Sequence, residues 1–118
     1  MSLGGLVNYN NDEKTNIILH TVGEMHIVAL VDIIRLKAEG PYTEFHISDG
    51  RKIIVSKTIK EYEATLPSNQ FYRCHNSHII NVDNISRIYS KDNIIEMKNG
   101  DTIDISRRRK DGLLNLFK

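Results

Sequence analysis

Short apolar runs, interrupted every few residues by turn-forming residues, dominate this chain. Asn16–Thr21 (NIILHT) is rich in β-branched residues and predicts a strand. Gly23-Glu24 predicts a turn, and residues 25–29 the returning strand. The apolar stretch 31–37 predicts a third extended run, broken at Ala38-Glu39-Gly40-Pro41. Residues 42–48 (YTEFHIS) follow. Asp49-Gly50 is the strongest hairpin signal, because the tight turns that match strand twist need positive φ. Residues 51–55 then pair back.

One segment departs from this pattern. In residues 58–66 (TIKEYEATL), Ile59, Tyr62 and Leu66 recur at helical spacing. Thr58 with Glu61 three residues on predicts a capping box, in which each side chain satisfies an orphan backbone N–H at the helix start. Pro67 stands just past the helix end. Phe71–His75 predicts a short strand, and the apolar run 79–85 a helical turn. Residues 88–89 and 93–97 flank Lys91-Asp92, a second hairpin. Asn99-Gly100 predicts a third, leading into residues 102–105, and Ser106 is placed to cap a final helix over 107–116. The expected fold class is mainly β: short antiparallel sheets with one or two short helices. A parallel βαβ arrangement is disfavoured, since only one helix lies between strands.

At 118 residues the chain has room for one core, not two. With 40% hydrophobic and 26% charged residues it is neither disordered nor collagen-like. Residues 1–15, with the polar stretch NYNNDEK at 8–14, read as a linker or cloning remnant, leaving 16–118 as the domain. Cys74 is the only cysteine, which excludes an internal disulfide and a cysteine-based zinc knuckle. A lone thiol suits a reducing, cytoplasmic setting. No apolar run approaches the ~20 residues of a membrane helix. Cys74-His75-x-x-His78 lacks a fourth ligand at zinc-like spacing, so no metal is expected. His20, His26, His46, His75 and His78 are possible bases, but nothing nominates a nucleophile. There is no Gly-rich phosphate loop, nucleophile elbow or paired-carboxylate cluster, so neither catalysis nor a cofactor is expected.

The net charge of +1, from 16 basic and 15 acidic residues, argues against a uniformly basic nucleic-acid binder. Its distribution argues differently. Residues 1–57 carry six basic and seven acidic side chains, residues 58–105 five and seven, and residues 106–118 five and one. The positive charge is concentrated in Arg107-Arg108-Arg109-Lys110 at a strand-to-helix junction. Cations at a helix N-terminus oppose the macrodipole, which leaves phosphate or base contact and a solvated charge run as evenly matched readings of the run.

Residues 71–81, FYRCHNSHIIN, resemble the core motif of the LytTR DNA-binding domain, F-x-R-x-H-[basic or polar]-S-[aromatic or polar]-[two aliphatics]-N. Phe71, Arg73, His75, Ser77, Ile79, Ile80 and Asn81 all match it. Downstream, Asn99-Gly100, Ile103, Ile105 and Ser106-Arg107-Arg108 resemble the family's ending, and upstream Asp32-Ile33 and Ala38-x-Gly40-x-Tyr42 resemble its "D-I-…-A-x-G-x-Y" segment. The three pieces stand in the family's order over residues 16–118. The resemblance implies an elongated β-fold that reads double-stranded DNA through loops in successive major grooves and the minor groove between them. It also implies the output domain of a bacterial transcriptional regulator in a two-component system, most often joined to an N-terminal receiver domain. Such domains bind tandem repeats, so a monomer that dimerises on DNA is expected.

On that resemblance, Arg108 is expected to contact a base in a major groove, with guanine O6/N7 the best match for its guanidinium. Tyr42 and Thr43 would supply a second major-groove contact, Thr43 through its methyl. Many relatives carry a basic residue where Asn76 stands, which favours a polar minor-groove contact there. Ser77, Lys91, Arg107, Arg109 and Lys110 are expected to contact phosphates and set the register, with one of the three helix cations free to pair with an acidic neighbour instead. Arg73 is open to either a DNA contact or a structural ion pair, and His75 reads as a framework residue rather than a base reader. The alternative is a β-rich protein–protein interaction module for which the RRRK run is dispensable.

Overall fold

In the computed structural model, which describes residues 15–118, β1 (Asn16–Thr21) and β2 (Glu24–Ala29) form an antiparallel hairpin with Asn16 opposite Ala29 and Thr21 opposite Glu24. All but the last residue of the expected linker lies outside the described residues. A 3-10 turn, Leu30–Asp32, leads into β3 (Ile33–Glu39), β4 (Tyr42–Ile47) and β5 (Lys52–Val55). The chain continues through α1 (Ile59–Thr65), β6 (Phe71–His75), β7 (His78–Asn81), a second 3-10 turn (Val82–Asn84), β8 (Ile85–Tyr89), β9 (Ile94–Met97), β10 (Thr102–Asp104) and α2 (Arg107–Asn115). Every strand pair is antiparallel. The central sheet has the order β5-β4-β3-β7-β6, and the last three strands form a separate sheet, β10-β9-β8.

The central sheet is covered on both faces, so two apolar clusters pack against it where the chain length suggested a single core. Leu19, Leu36, Phe45, Tyr62 and Ile79 belong to the core shared with the β1–β2 hairpin and α1. Ile34, Cys74, Ile80, Ile95, Met97 and Leu113 belong to the core shared with the three-stranded sheet and α2. Side chains alternate along a strand, so Ile79 and Ile80 enter opposite cores. A strand buried on both faces reads as a continuous apolar run. For this reason residues 79–81 close a strand, and only the Val82–Asn84 part of the expected helical turn is helical.

Most of the predicted punctuation is present. Gly50 and Gly100 occupy positive φ (95° and 94°) in two hairpins, and Asn93 does so (53°) in the Lys91-Asp92 turn. The α1 capping box forms: Thr58 Oγ1 accepts from Glu61 N at 3.4 Å, and the Glu61 carboxylate accepts from Thr58 N at 3.0 Å. Ser106 differs from expectation. It takes the N-cap position of α2 but makes no side-chain cap bond, and its buried Oγ has no partner among the described residues.

Candidate nucleic-acid interface

Antiparallel pairing brings three turns and a helix start to one end of the molecule. Lys37 pairs with His78 and Glu39 with Tyr42, so the β3–β4 turn (Gly40-Pro41) and the β6–β7 turn (Asn76-Ser77) share an end of the central sheet. Ala38 N donates to Ser77 O at 2.9 Å between them. Ser106 N donates to Cys74 O at 2.9 Å, which anchors the start of α2 beside the β6–β7 turn. Ile105 N donates to Asn93 O at 2.9 Å, adding the β8–β9 turn with Lys91. Lys110 Nζ donates to Ser90 O at 2.6 Å, holding that turn against α2.

This edge presents exposed polar and cationic groups. Tyr42, Asn76, Lys91, Arg107 and Arg108 are all exposed, and Ser77 is half-buried. Among the described residues, the side chains of Arg107 and Arg108 make no hydrogen bond or ion pair, unlike their neighbour Arg109. The acids nearby are partly answered: Glu39 pairs with Lys37 at 3.1 Å and Glu44 with His46 at 3.1 Å. Lys57, exposed just past β5, adds a cation that the sequence reading did not single out.

Beneath the edge lies a charged joint. Arg73 donates through Nη1 to Glu63 Oε1 at 2.9 Å and through Nη2 to the Asn76 carbonyl at 2.7 Å. Arg109 donates to the Arg73 carbonyl at 3.1 Å and lies 3.6 Å from Glu63 Oε2. Tyr72 Oη donates to the Arg109 carbonyl at 2.6 Å. Of the two roles open to it, Arg73 takes the ion pair, and Arg109 is the helix cation that pairs with an acid.

A family model for the LytTr DNA-binding domain matches residues 23–118. The chain belongs to this family. A solved LytTr DNA-binding domain from Bacillus cereus is 25% identical, superposes with a TM-score of 0.77, and the match covers 89% of this chain and 98% of that one. An uncharacterised response regulatory protein of Vibrio cholerae is 29% identical over 68 residues, or 55% of this chain. The match spans only 26% of that protein's length.

Within this LytTR domain, one of the expected contacts needs correction. Thr43 is completely buried, and its hydroxyl donates to the Lys57 carbonyl at 2.7 Å. A side chain with no exposed surface cannot offer its methyl to thymine, so Thr43 is a framework residue. Arg109 pairs with Glu63 and donates to the Arg73 carbonyl, the role left open for one of the three helix cations. Lys110 keeps part of its donor capacity, because an ammonium has three N–H groups and one is engaged.

The motif histidines divide similarly. His75 Nδ1 accepts from Ser77 N at 3.1 Å and shapes the β6–β7 turn. Burial pushes the His78 imidazole down to about 4, reinforced by Arg35, His75 and Lys37, so it is neutral at neutral pH and cannot serve as a phosphate cation. Cys74 is fully buried, and burial raises its thiol to about 12, which leaves it protonated and unreactive. Among the described residues no cluster of His, Cys, Asp or Glu could hold a metal, and no helix is long and apolar enough to cross a membrane.

The Asn81 that ends the motif is completely buried. Its Nδ2 donates to Ile33 O at 2.9 Å and its Oδ1 accepts from Asp83 N at 3.0 Å, tying β7 to the start of β3. Glu63 is the residue the sequence reading missed. Its two guanidinium partners lie 10 and 46 positions downstream, and no local pattern links them.

Proposed function

We propose that this domain binds double-stranded DNA in a sequence-specific manner, through the loops at the end of the central sheet, as the output domain of a bacterial transcriptional regulator. The supporting observation is the convergence of the Tyr42, Asn76-Ser77 and Lys91 turns with an α2 start whose Arg107 and Arg108 are exposed and have no partner among the described residues. An unpaired guanidinium keeps its donor fork for guanine O6/N7, so Arg108 is assigned the principal base contact in a major groove. Asn76 is assigned a polar contact in the adjoining minor groove, and Tyr42 a second major-groove contact. Arg107, Lys91, Ser77 and the remaining donors of Lys110 bind phosphates and set the register.

The small contact set implies that one copy binds weakly and that affinity comes from tandem sites occupied by two copies. The domain is then a monomer in solution that dimerises on DNA, working in the cytoplasm behind an N-terminal receiver domain, in keeping with the name of the Vibrio relative. Selection of bound duplexes from a random pool by the purified domain tests this reading. A recovered repeat motif is the expected result, and no preference for any duplex at low salt overturns it.

One observation favours the second reading, a protein–protein module. The β1–β2 hairpin exposes Ile18, Val22, Met25 and Ile27. On that reading, removing both Arg107 and Arg108 charges would leave partner binding intact.

A further inference from the structure

Glu63 presents one carboxylate to two guanidiniums, each belonging to or gripping an element of the DNA-facing edge. Arg73, with 16% of its side chain exposed, holds the Asn76 carbonyl, and Arg109, with 25% exposed, belongs to the same helical turn as Arg107 and Arg108. Glu63 comes from α1, which is otherwise not part of that edge. The geometry resembles a guanidinium pair gripping a phosphate, with a protein carboxylate in the phosphate's place.

We infer that Glu63 is a specificity-determining positioning residue: it occupies Arg73 and Arg109 internally, withholding them from DNA phosphates, and fixes the Asn76 turn relative to α2. This inference rests on the DNA-binding reading above and deepens it. Two consequences follow from the charge arithmetic. Without Glu63, two guanidiniums at the edge lose their counter-charge, so binding to any duplex strengthens. The phosphate share of binding carries no sequence information, so discrimination falls as that share grows. A purely structural role would have the opposite effect, because a loosened turn weakens binding to every duplex.

The test compares wild type, Glu63→Gln and Glu63→Asp by fluorescence anisotropy. The probes are a fluorescein-labelled random-sequence duplex and a duplex selected by the wild-type domain, each titrated from 50 to 300 mM salt. Glu63→Gln keeps the size and hydrogen-bonding capacity of the side chain but not its charge. It is expected to bind the random duplex roughly three- to tenfold more tightly at low salt, with a slope of log affinity against log salt steeper by roughly one to two, since each added phosphate contact contributes about 0.9. The ratio of selected to random affinity should fall by a similar factor, and Glu63→Asp should restore most of it. A thermal melt of each variant accompanies the binding data. If wild type binds and Glu63→Gln shows an unchanged or shallower slope, the inference is overturned while DNA binding stands. If wild type binds neither duplex, DNA binding itself fails.

Discussion

Arg108→Ala separates a base-reading arginine from a phosphate-binding one. The side chain is exposed, and no intramolecular partner of it was found among the described residues, so its removal should leave the fold within about 0.5 kcal/mol of wild type. On DNA the loss should be large. A bidentate guanine contact discriminates by about 1–3 kcal/mol, which converts to a roughly 5- to 150-fold weaker Kd on a selected duplex. On a random duplex that contact is not made, so Arg108→Ala should weaken binding there by no more than one lost charge would. Arg107→Ala provides the contrast: as a phosphate contact it should weaken both duplexes by similar factors and lower the salt slope by about one. Anisotropy titrations of both variants on both duplexes, at several salt concentrations, read all four numbers. Equal losses for Arg108→Ala on the two duplexes, with a reduced slope, would refute the base-contact assignment and make Arg108 another phosphate ligand.

Three further outcomes check the framework beneath the site. Thr43→Val removes the hydroxyl donated to the Lys57 carbonyl and should cost about 1 kcal/mol in urea unfolding while leaving the selected sequence unchanged; a new base preference would return Thr43 to the interface. A Cβ at Gly112 would collide with the Tyr72 hydroxyl, so Gly112→Ala should destabilise by about 1–3 kcal/mol although alanine is the better helix former, and adding Tyr72→Phe should recover most of it. The His78 imidazole titrates at about 4 when folded and near 6.5 when unfolded, so between those values the unfolded chain binds more protons. Stability should therefore fall as pH drops from 6.5 toward 4, with His46, also lowered by burial, acting in the same direction. Denaturant midpoints across that window should decline, and His78→Phe should flatten the decline; an unchanged slope would place the cause elsewhere.

The fold was readable where local chemistry is decisive. The Asp49-Gly50 and Asn99-Gly100 hairpins and the Thr58/Glu61 box all came from neighbours in sequence. Thr43 shares a strand face with Phe45 and Ile47, two and four residues on, and so points inward, against the role the family resemblance suggested. Arg109 was readable by a similar rule, since it lies four residues before the buried Leu113 and so shares the inward face of α2. The Glu63 joint was not readable. It depends on α1 packing near β6 and α2, a consequence of topology that leaves no periodicity in any one element. Nor does the sequence show that β6 and β7 turn back at Asn76 on the same end as Gly40, which only the strand register establishes.

The division of the Arg107–Lys110 run changes what the net charge of +1 means for binding. Counted along the sequence, four adjacent cations promise a strong, non-selective pull on DNA. In the folded domain Arg109 is answered by Glu63, and Lys110 is turned toward Ser90, so the fully available pair is Arg107 and Arg108. With Lys91 and Lys57 also at that end, one domain would neutralise only a few phosphates on the proposed reading, and its salt-dependent, sequence-blind affinity should be correspondingly low. Low background affinity is an advantage to a regulator facing a large excess of wrong sites, because selectivity is a ratio. On the proposed reading it would also leave one copy too weak to hold a site alone. The proposed reliance on a second copy at a tandem repeat would then follow from the limit on free positive charge that the pairing of Arg109 sets.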